Sequence, residues 1–242
     1  MSLNERRVLV IGGGSGIGFA VAKAARTAGA QVMIASSNAE KIKAAAAQLG
    51  NNTSAAPLDV TREADVATFF AKSGSFDHIA FTAGDWSGPR RAPLVDLDLE
   101  QATAVFKVRF WGAVAVAKYG AKTLPAGGSL TLTDGMIAHR PQKGSAISTA
   151  MTGAVEHLTR ALAVELAPVR VNAVCPGLVR TGIWDRIPAD QRETELRKMT
   201  SGQLVPRPGE PGETAEAYLY LMRGTYTTGQ VLYVEGGRAL GS

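Results

Sequence analysis

Short apolar runs recur along the chain, each bounded by glycine, asparagine, aspartate or proline, a pattern typical of buried strands. It predicts strands at residues 7–12, 31–36, 53–60, 76–84, 128–135, 169–177 and 229–237. Segments with helical spacing lie between them, at residues 17–28, 39–49, 63–72, about 97–123 and 147–166. Strands and helices that alternate in this way form right-handed βαβ units. We therefore expect an α/β fold with one doubly wound, seven-stranded parallel sheet and helices on both of its faces.

One stretch departs from the alternation. Residues 180–208 are rich in charge and proline, and they predict a short helix within a loop. Long insertions of this kind are often lids over a ligand site, and a plain surface excursion is an equally open interpretation. The rest of the chain contains no linker, repeat or low-complexity run, so residues 1–242 are expected to form a single domain.

Composition limits the classes of partner. Of the 242 residues 45% are hydrophobic, yet no apolar run is long enough to span a membrane and no signal peptide is visible. The single cysteine, Cys175, has no partner for an intrachain disulfide, and we interpret it as a buried filler. The net charge of +5 comes from scattered Lys and Arg residues, which suit phosphorylated ligands better than nucleic acid. We expect a cytoplasmic protein with no nucleic-acid or membrane partner and no bound metal.

A glycine-rich sequence, VIGGGSGIG, joins the first predicted strand to the first helix. Glycine allows a tight turn and lets the backbone approach a pyrophosphate, whose charge is met by the helix N-terminus. A strand before the motif and a helix after it are the context that this interpretation requires. We predict that a dinucleotide binds at Gly12, Gly14, Ser15, Gly16, Ile17 and Gly18. A turn that is merely tight is the alternative.

The G-x-x-x-G-x-G spacing of this loop resembles the glycine motif of the short-chain dehydrogenases/reductases, the SDR family. The likeness covers nearly the whole chain, through LDV at 58–60, TAG at 82–84, NAVCPGLVRT at 172–181 and TTGQVLYVEGG at 227–237. One departure is Ile11, where the family often has threonine. The resemblance implies a single-domain Rossmann fold, with contacts to the cofactor at Asp59, Val60, Thr82, Ala83, Gly84, Pro176, Gly177, Val179 and Thr181.

The end of the second strand bears on the choice of nucleotide. An NAD-type site places a carboxylate there to hold the ribose hydroxyls, whereas this chain has Ser36, Ser37 and Asn38. These residues neither repel a 2′-phosphate nor supply an arginine to clamp one. Hydroxyls at the start of the next helix, with Lys41 one turn in, suit that phosphate. The sequence favours NADP(H) over NAD(H), with the alternative that Ser37 or Asn38 only caps the helix.

The resemblance implies a different outcome at the reaction centre. Members of the family use an Asn, a Ser, a Tyr acid/base and a Lys one helical turn after the Tyr. Alignment places Ser148 at the Tyr position, Thr152 at the Lys position and Arg109 at the Asn position. Asp134, or Gly135 if the register slips by one, stands at the Ser position. A serine hydroxyl is a far weaker acid than a phenol, so we expect the usual ketone reduction not to run by the usual route.

Other side chains are candidates to replace the missing groups. Arg109 and Asp134 are predicted to form a charge-assisted pair under the nicotinamide, or simply to fill the vacated space. His139 lies on the following loop with Arg140 and Lys143, and it is a candidate acid/base or a surface histidine.

Three further residues, Asp85, Trp86 and Trp184, either line the same cleft or have ordinary packing roles. Two functions remain open. One is an NADP(H)-dependent oxidoreductase with an altered active site. The other is a nucleotide-binding protein without hydride transfer, such as a redox sensor, a regulatory partner or an inactive subunit. Fold-level likeness does not decide between them.

The resemblance also implies a homodimer or homotetramer. In the family the subunits associate through two long helices, here residues 97–123 and 145–167, and through the last strand. Small residues on these helices permit close helix approach, and they include Ala113, Ala115, Ala117, Ala161 and Ala163.

Overall fold

The computed structural model describes residues 2–85 and 92–241. It contains one parallel sheet with the strand order β3-β2-β1-β4-β5-β6-β7. This is the doubly wound, seven-stranded sheet predicted from the sequence. The strands are β1 (Arg7–Ile11), β2 (Gln31–Ser36), β3 (Thr53–Pro57), β4 (His78–Phe81), β5 (Ser129–Thr133), β6 (Arg170–Pro176) and β7 (Val231–Val234).

Helices cover both faces of the sheet. They are α1 (Gly16–Thr27), α2 (Ala39–Leu49), α3 (Glu63–Ser73), α4 (Leu99–Phe106), α5 (Gly112–Gly120), α6 (Ala146–Glu165), α7 (Ala189–Thr200) and α8 (Pro211–Arg223). The apolar sides of α1, α2 and α8 pack in one core, and those of α3, α5 and α6 pack in the other. Within the described ranges, no helix has both the length and the apolar character needed to cross a lipid bilayer.

Several boundaries differ from the sequence prediction. The third strand ends at Pro57, because residues 58–60 leave the sheet towards its carboxyl edge. The helical stretch predicted at 97–123 is divided by a π-helical turn at Lys107–Trp111, between α4 and α5. A π turn inserts an extra residue into the helical ladder, and apolar spacing alone does not report it.

The carboxyl-terminal part contains more helix than predicted. Within residues 180–208 lie a short 3-10 turn, Gly182–Trp184, and the twelve-residue helix α7. Helix α8 was not predicted, although its start carries a local signal. Pro211 is near its first turn, and the side chains of Glu210 and Glu213 form a capping box.

The predicted contact surface for subunit association needs a correction. Ala113 and Ala117 are 0% and 2% exposed, because they pack under the sheet of their own chain. These two residues therefore do not offer a surface to a second helix. Ala161 is exposed, and Ala115 and Ala163 are partly exposed.

Candidate active site

The glycine loop leaves no room for side chains between β1 and α1. A Cβ atom added to Gly18 would lie 2.2 Å from the carbonyl oxygen of Gly12 and 2.4 Å from Thr82 Oγ1. Gly12 has φ of +88°, and a Cβ there would lie 2.6 Å from the backbone nitrogen of Ala83. Ser15 precedes α1 without capping it by a side-chain hydrogen bond. The first amide groups of α1 are therefore available to an anionic group such as a pyrophosphate.

A cavity of about 1090 Å³ opens at the carboxyl ends of the strands, above this loop. This is where an open α/β sheet binds its ligand, because the strand order reverses between β1 and β4. Apart from Asn38, every residue predicted to bind the cofactor lines it. The lining set comprises Gly12, Gly14, Ser15, Gly16, Ile17, Gly18, Ser36, Ser37, Asp59, Val60, Thr82, Ala83, Gly84, Pro176, Gly177, Val179 and Thr181.

Asn38 has a structural role instead. Its side-chain oxygen accepts a hydrogen bond of 2.9 Å from the backbone N–H of Lys41, which caps α2. For Asn38 the capping alternative is therefore the observed one. Ser36, Ser37 and Lys41 line the cavity, and the two residues that directly follow β2, Ser37 and Asn38, are not acidic.

The four positions assigned to the reaction centre come together at the other end of the same cavity, which Arg109, Asp134, Ser148 and Thr152 all line. A Cβ atom added to Gly135 would lie 3.6 Å from Thr152 Cγ2 and 3.8 Å from Arg109 Nη1. Gly135 therefore lies directly beside Arg109 and Thr152. The hydroxyl of Thr152 donates a 2.9 Å hydrogen bond to the carbonyl oxygen of Ser148, within α6.

Arg109 is the buried cation of this end. It lies in the π-helical turn and is 7% exposed. Its Nη1 donates a 2.9 Å hydrogen bond to the main-chain carbonyl oxygen of Asp134. Burial lowers the pKa of Arg109, and the nearby Asp134 opposes that shift. The predicted meeting of Arg109 and Asp134 is present, with this hydrogen bond made to the main chain.

His139 lies elsewhere. Its ring is hydrogen-bonded to the Glu156 carboxylate on α6, and Tyr233 Oη is 3.1 Å from His139 Nε2. Arg140 lines the cavity, whereas His139 and Lys143 are not among the described residues that line it. The structure therefore does not bring His139 to the place where an acid would meet a substrate.

The remaining predicted cleft residues have mixed positions. Asp85 and Trp184 line the cavity, and Trp184 Nε1 donates a 2.8 Å hydrogen bond to the Val179 carbonyl oxygen. Trp86 lies outside the described residues. Of the segment predicted as a lid, the turn Gly182–Trp184 lines the cavity.

Sequence reasoning missed part of the reaction end. The cavity is also lined by Met136, Ile137, Gln142, Met151, Leu178, Ile183 and Arg238. Met136 and Ile137 directly follow Gly135, so their place after β5 was a usable signal. Arg238 comes from the end of the chain, and no local pattern connects it to this cavity.

Comparison with known proteins places this arrangement in a family. A family model described as Enoyl-(Acyl carrier protein) reductase matches residues 12–239. The short-chain dehydrogenase/reductase malC of Malbranchea aurantiaca is 36% identical, over 98% of this chain and 96% of malC.

Solved structures agree. A small-chain dehydrogenase in complex with NADPH has a TM-score of 0.84 at 35% identity, covering 98% of this chain and 100% of its own. An NADPH-bound short chain oxidoreductase from Pseudomonas aeruginosa PAO1, described as containing an atypical catalytic center, has a TM-score of 0.90 at 26% identity, with 100% and 99% coverage. The chain belongs to the short-chain dehydrogenase/reductase family.

Proposed function

We propose that this SDR-family oxidoreductase is an NADP(H)-dependent reductase whose hydride transfer depends on Arg109 rather than on a Tyr-Lys pair. The observation that carries the proposal is one continuous cavity. Its nucleotide end is shaped by the glycine loop, and its other end holds the buried guanidinium of Arg109. When bound, NADPH supplies a hydride to an electrophilic carbon.

NADP(H) is the cofactor that these residues fit. The space above Gly12 and Gly18, which a single Cβ atom would fill, suits a pyrophosphate. Ser36, Ser37 and Lys41 line the cavity where a 2′-phosphate would lie. Both structures compared above contain NADPH, which supports the same choice.

The residues at the reaction end favour a particular substrate class. Ser148 and Thr152 replace the expected acid/base and its lysine, and the Thr152 hydroxyl is already bonded within α6. A buried arginine remains protonated and stabilises negative charge, but it does not readily give up a proton. This favours substrates whose reduction creates a delocalised oxyanion, such as conjugated carbonyl compounds.

In such a reaction the β-carbon of the substrate accepts the hydride, and the electron pair of the C=C bond moves towards the carbonyl oxygen. Arg109 stabilises the resulting enolate oxygen. A proton from solvent water then completes the reduction at the α-carbon. Because this last proton arrives after the hydride, no strong acid is needed in the transition state.

The test is NADPH consumption with a panel of enones, enoyl thioesters and quinones. We expect saturable turnover with at least one class. We expect Arg109→Met to lower kcat/KM by about 100-fold or more, as loss of an oxyanion donor does, while the Kd for NADPH changes less than about threefold. Arg109→Lys keeps the positive charge and reports whether charge without the guanidinium group is sufficient, and Arg197→Met on the exposed side of α7 is the surface control. Full activity in Arg109→Met would contradict the proposal.

The second candidate is a binding protein without hydride transfer. The replacement of all four expected reaction residues favours it. It predicts NADPH binding that no compound of the panel converts into NADPH consumption. A homodimer or homotetramer is proposed under either function, with Trp111 and Val164 exposed by 60% and 81% near the helices that family members use. Light scattering of the full chain measures this state.

A further inference from the structure

A second polar cluster lies behind the reaction end, on the side of the sheet that α6 covers. It consists of Asp134 after β5, His139 on the next loop, Glu156 on α6 and Cys175 on β6. One ligand atom from each residue lies within 4.8 Å of the corresponding atoms of the other three. Four separate segments thus bring a carboxylate pair, an imidazole and a thiol to one point. We call this group the α6 cluster.

The α6 cluster brings two carboxyl groups together in a buried place. Asp134 is 0% exposed, and neither of its carboxylate oxygens meets a described hydrogen-bond partner of acceptable geometry. The Glu156 carboxylate, the Cys175 thiol and the backbone of Gly135 are polar neighbours of Asp134. Two carboxylates this close need a proton or a cation between them.

Two arginines approach the cluster from outside. Arg109 faces Asp134 from the π turn, and its described hydrogen bond goes to the main-chain carbonyl oxygen. Arg160 Nη2 is 3.8 Å from Glu156 Oε2, at the outer edge of α6. Tyr233 and His139 close the cluster towards solvent, with His139 Nε2 bonded to Glu156.

We propose that the α6 cluster binds a transition-metal dication of the zinc class, through Asp134, His139, Glu156 and Cys175. Zinc prefers four nitrogen, sulfur and oxygen ligands in a tetrahedron, whereas magnesium and calcium prefer oxygen alone. Bonds of about 2.0–2.3 Å place tetrahedral ligand atoms about 3.3–3.8 Å apart. The ligand atoms lie within 4.8 Å of one another, so small side-chain movements bring the set to that spacing, and the His139 ring separates from the Glu156 oxygen that it now contacts.

Binding changes the protonation of the ligands in a defined way. The metal displaces the thiol proton of Cys175 and the proton held at Asp134, and both protons pass to solvent. With four protein ligands the site is closed, so its role is structural. It fixes Asp134, whose carbonyl oxygen orients Arg109, and thereby couples the metal to the reaction end. The four ligands do not form a short sequence motif, which explains why no metal site was expected from the sequence.

The experiment uses the full chain, freed of any affinity tag and treated with chelator. It is titrated with Zn²⁺ by calorimetry in two buffers and with Co²⁺ by absorption spectroscopy. We expect one ion per chain, proton release on binding, and a thiolate-to-Co²⁺ charge-transfer band. Cys175→Ser removes the band and, like His139→Gln, weakens Zn²⁺ affinity at least about tenfold. His157→Gln, an exposed histidine beside Glu156 on α6, is the matched control and leaves both unchanged.

The outcomes separate clearly. Absence of stoichiometric binding overturns the proposal and leaves a proton shared between Asp134 and Glu156 as the state of the cluster. Binding that His157→Gln weakens as much as His139→Gln is adventitious and also overturns it. If Cys175→Ser fails to fold, the partly exposed His139 still decides, because its side chain is 30% exposed and tolerates replacement. All of these readouts are independent of catalytic activity.

Discussion

The two ends of the cavity are built in different ways. At the nucleotide end, the proposed recognition uses seven consecutive residues from Gly12 to Gly18, in which Gly12 and Gly18 have no space for a side chain. At the reaction end, Arg109, Gly135 and Thr152 come from a π turn, a loop and a helix that are distant in sequence. The first end requires one local backbone shape, whereas the second requires the correct packing of several elements. A chain can therefore keep the first while its side chains at the second change.

The largest expected effect lies at the nucleotide end. Gly18→Ala should weaken NADPH binding by about 1,000-fold, equivalent to about 4 kcal/mol, because the added Cβ collides with the Gly12 carbonyl oxygen. Calorimetric titration measures this loss. Gly153→Ala on α6 is the control, since a Cβ there meets nothing within 4 Å. Equal affinity in Gly18→Ala and the native chain would show that the loop does not bind the nucleotide.

The next effect concerns the sheet that both ends share. His78 on β4 is buried against Ser129, with 2.9 Å between His78 Nδ1 and Ser129 Oγ. Burial lowers the pKa of His78 from 6.5 to about 4. Below pH 6.5 His78 binds a proton in the unfolded chain but not in the folded chain. The free energy of unfolding therefore decreases as the pH is lowered. The titration of His78 should lower the free energy of unfolding by about 3 kcal/mol between neutral pH and pH 4.

Urea unfolding between pH 7.5 and pH 4 measures that loss. His78→Asn should flatten the dependence, whereas the exposed His157→Gln should leave it as in the native chain. An unchanged slope in His78→Asn would assign the acid sensitivity to other groups, such as Asp77. The outcome tells whether acid weakens the shared sheet before it affects either end of the cavity.

A smaller effect separates the two nicotinamide nucleotides. Lys41→Ala should weaken NADPH binding about tenfold, or about 1.4 kcal/mol, and leave NADH binding nearly unchanged. The reason is that Lys41 lines the cavity beside Ser36 and Ser37, where the extra phosphate is expected. Paired titrations with both nucleotides measure the difference. Equal losses of affinity for NADPH and NADH would show that Lys41 contacts a part of the cofactor that the two nucleotides share.

The smallest effect is expected at Thr152. Thr152→Ala should change turnover and NADPH affinity less than about twofold, because the hydroxyl is bonded to the Ser148 carbonyl oxygen within α6. Thr159→Ala is a matched control, since Thr159 bonds to the Val155 carbonyl oxygen in the same way. A tenfold loss of turnover confined to Thr152→Ala would instead show that this hydroxyl takes part in the reaction.

The two ends of the cavity also differ in how much of each could be predicted from the sequence. The glycine loop and the Pro176–Gly177 turn, which the sequence predicts to contact the cofactor, line the cavity, because short motifs determine their backbone. Asn38 caps α2 and is not among the described residues that line the cavity, and the sequence left both roles open because a cap and a phosphate ligand have the same local signal. Helix α8 was missed although its capping box was readable.

The sequence by itself determined the parallel sheet, its alternation with helices and the nucleotide end of the cavity. Hydrophobic periodicity and glycine positions act over a few residues, so they can be read along the chain. Only the tertiary structure decided that His139 joins Glu156 instead of the cavity, that Ala113 and Ala117 are interior, and that Cys175 meets two carboxylates. Such meetings depend on how distant elements pack, and no local pattern in the sequence encodes them.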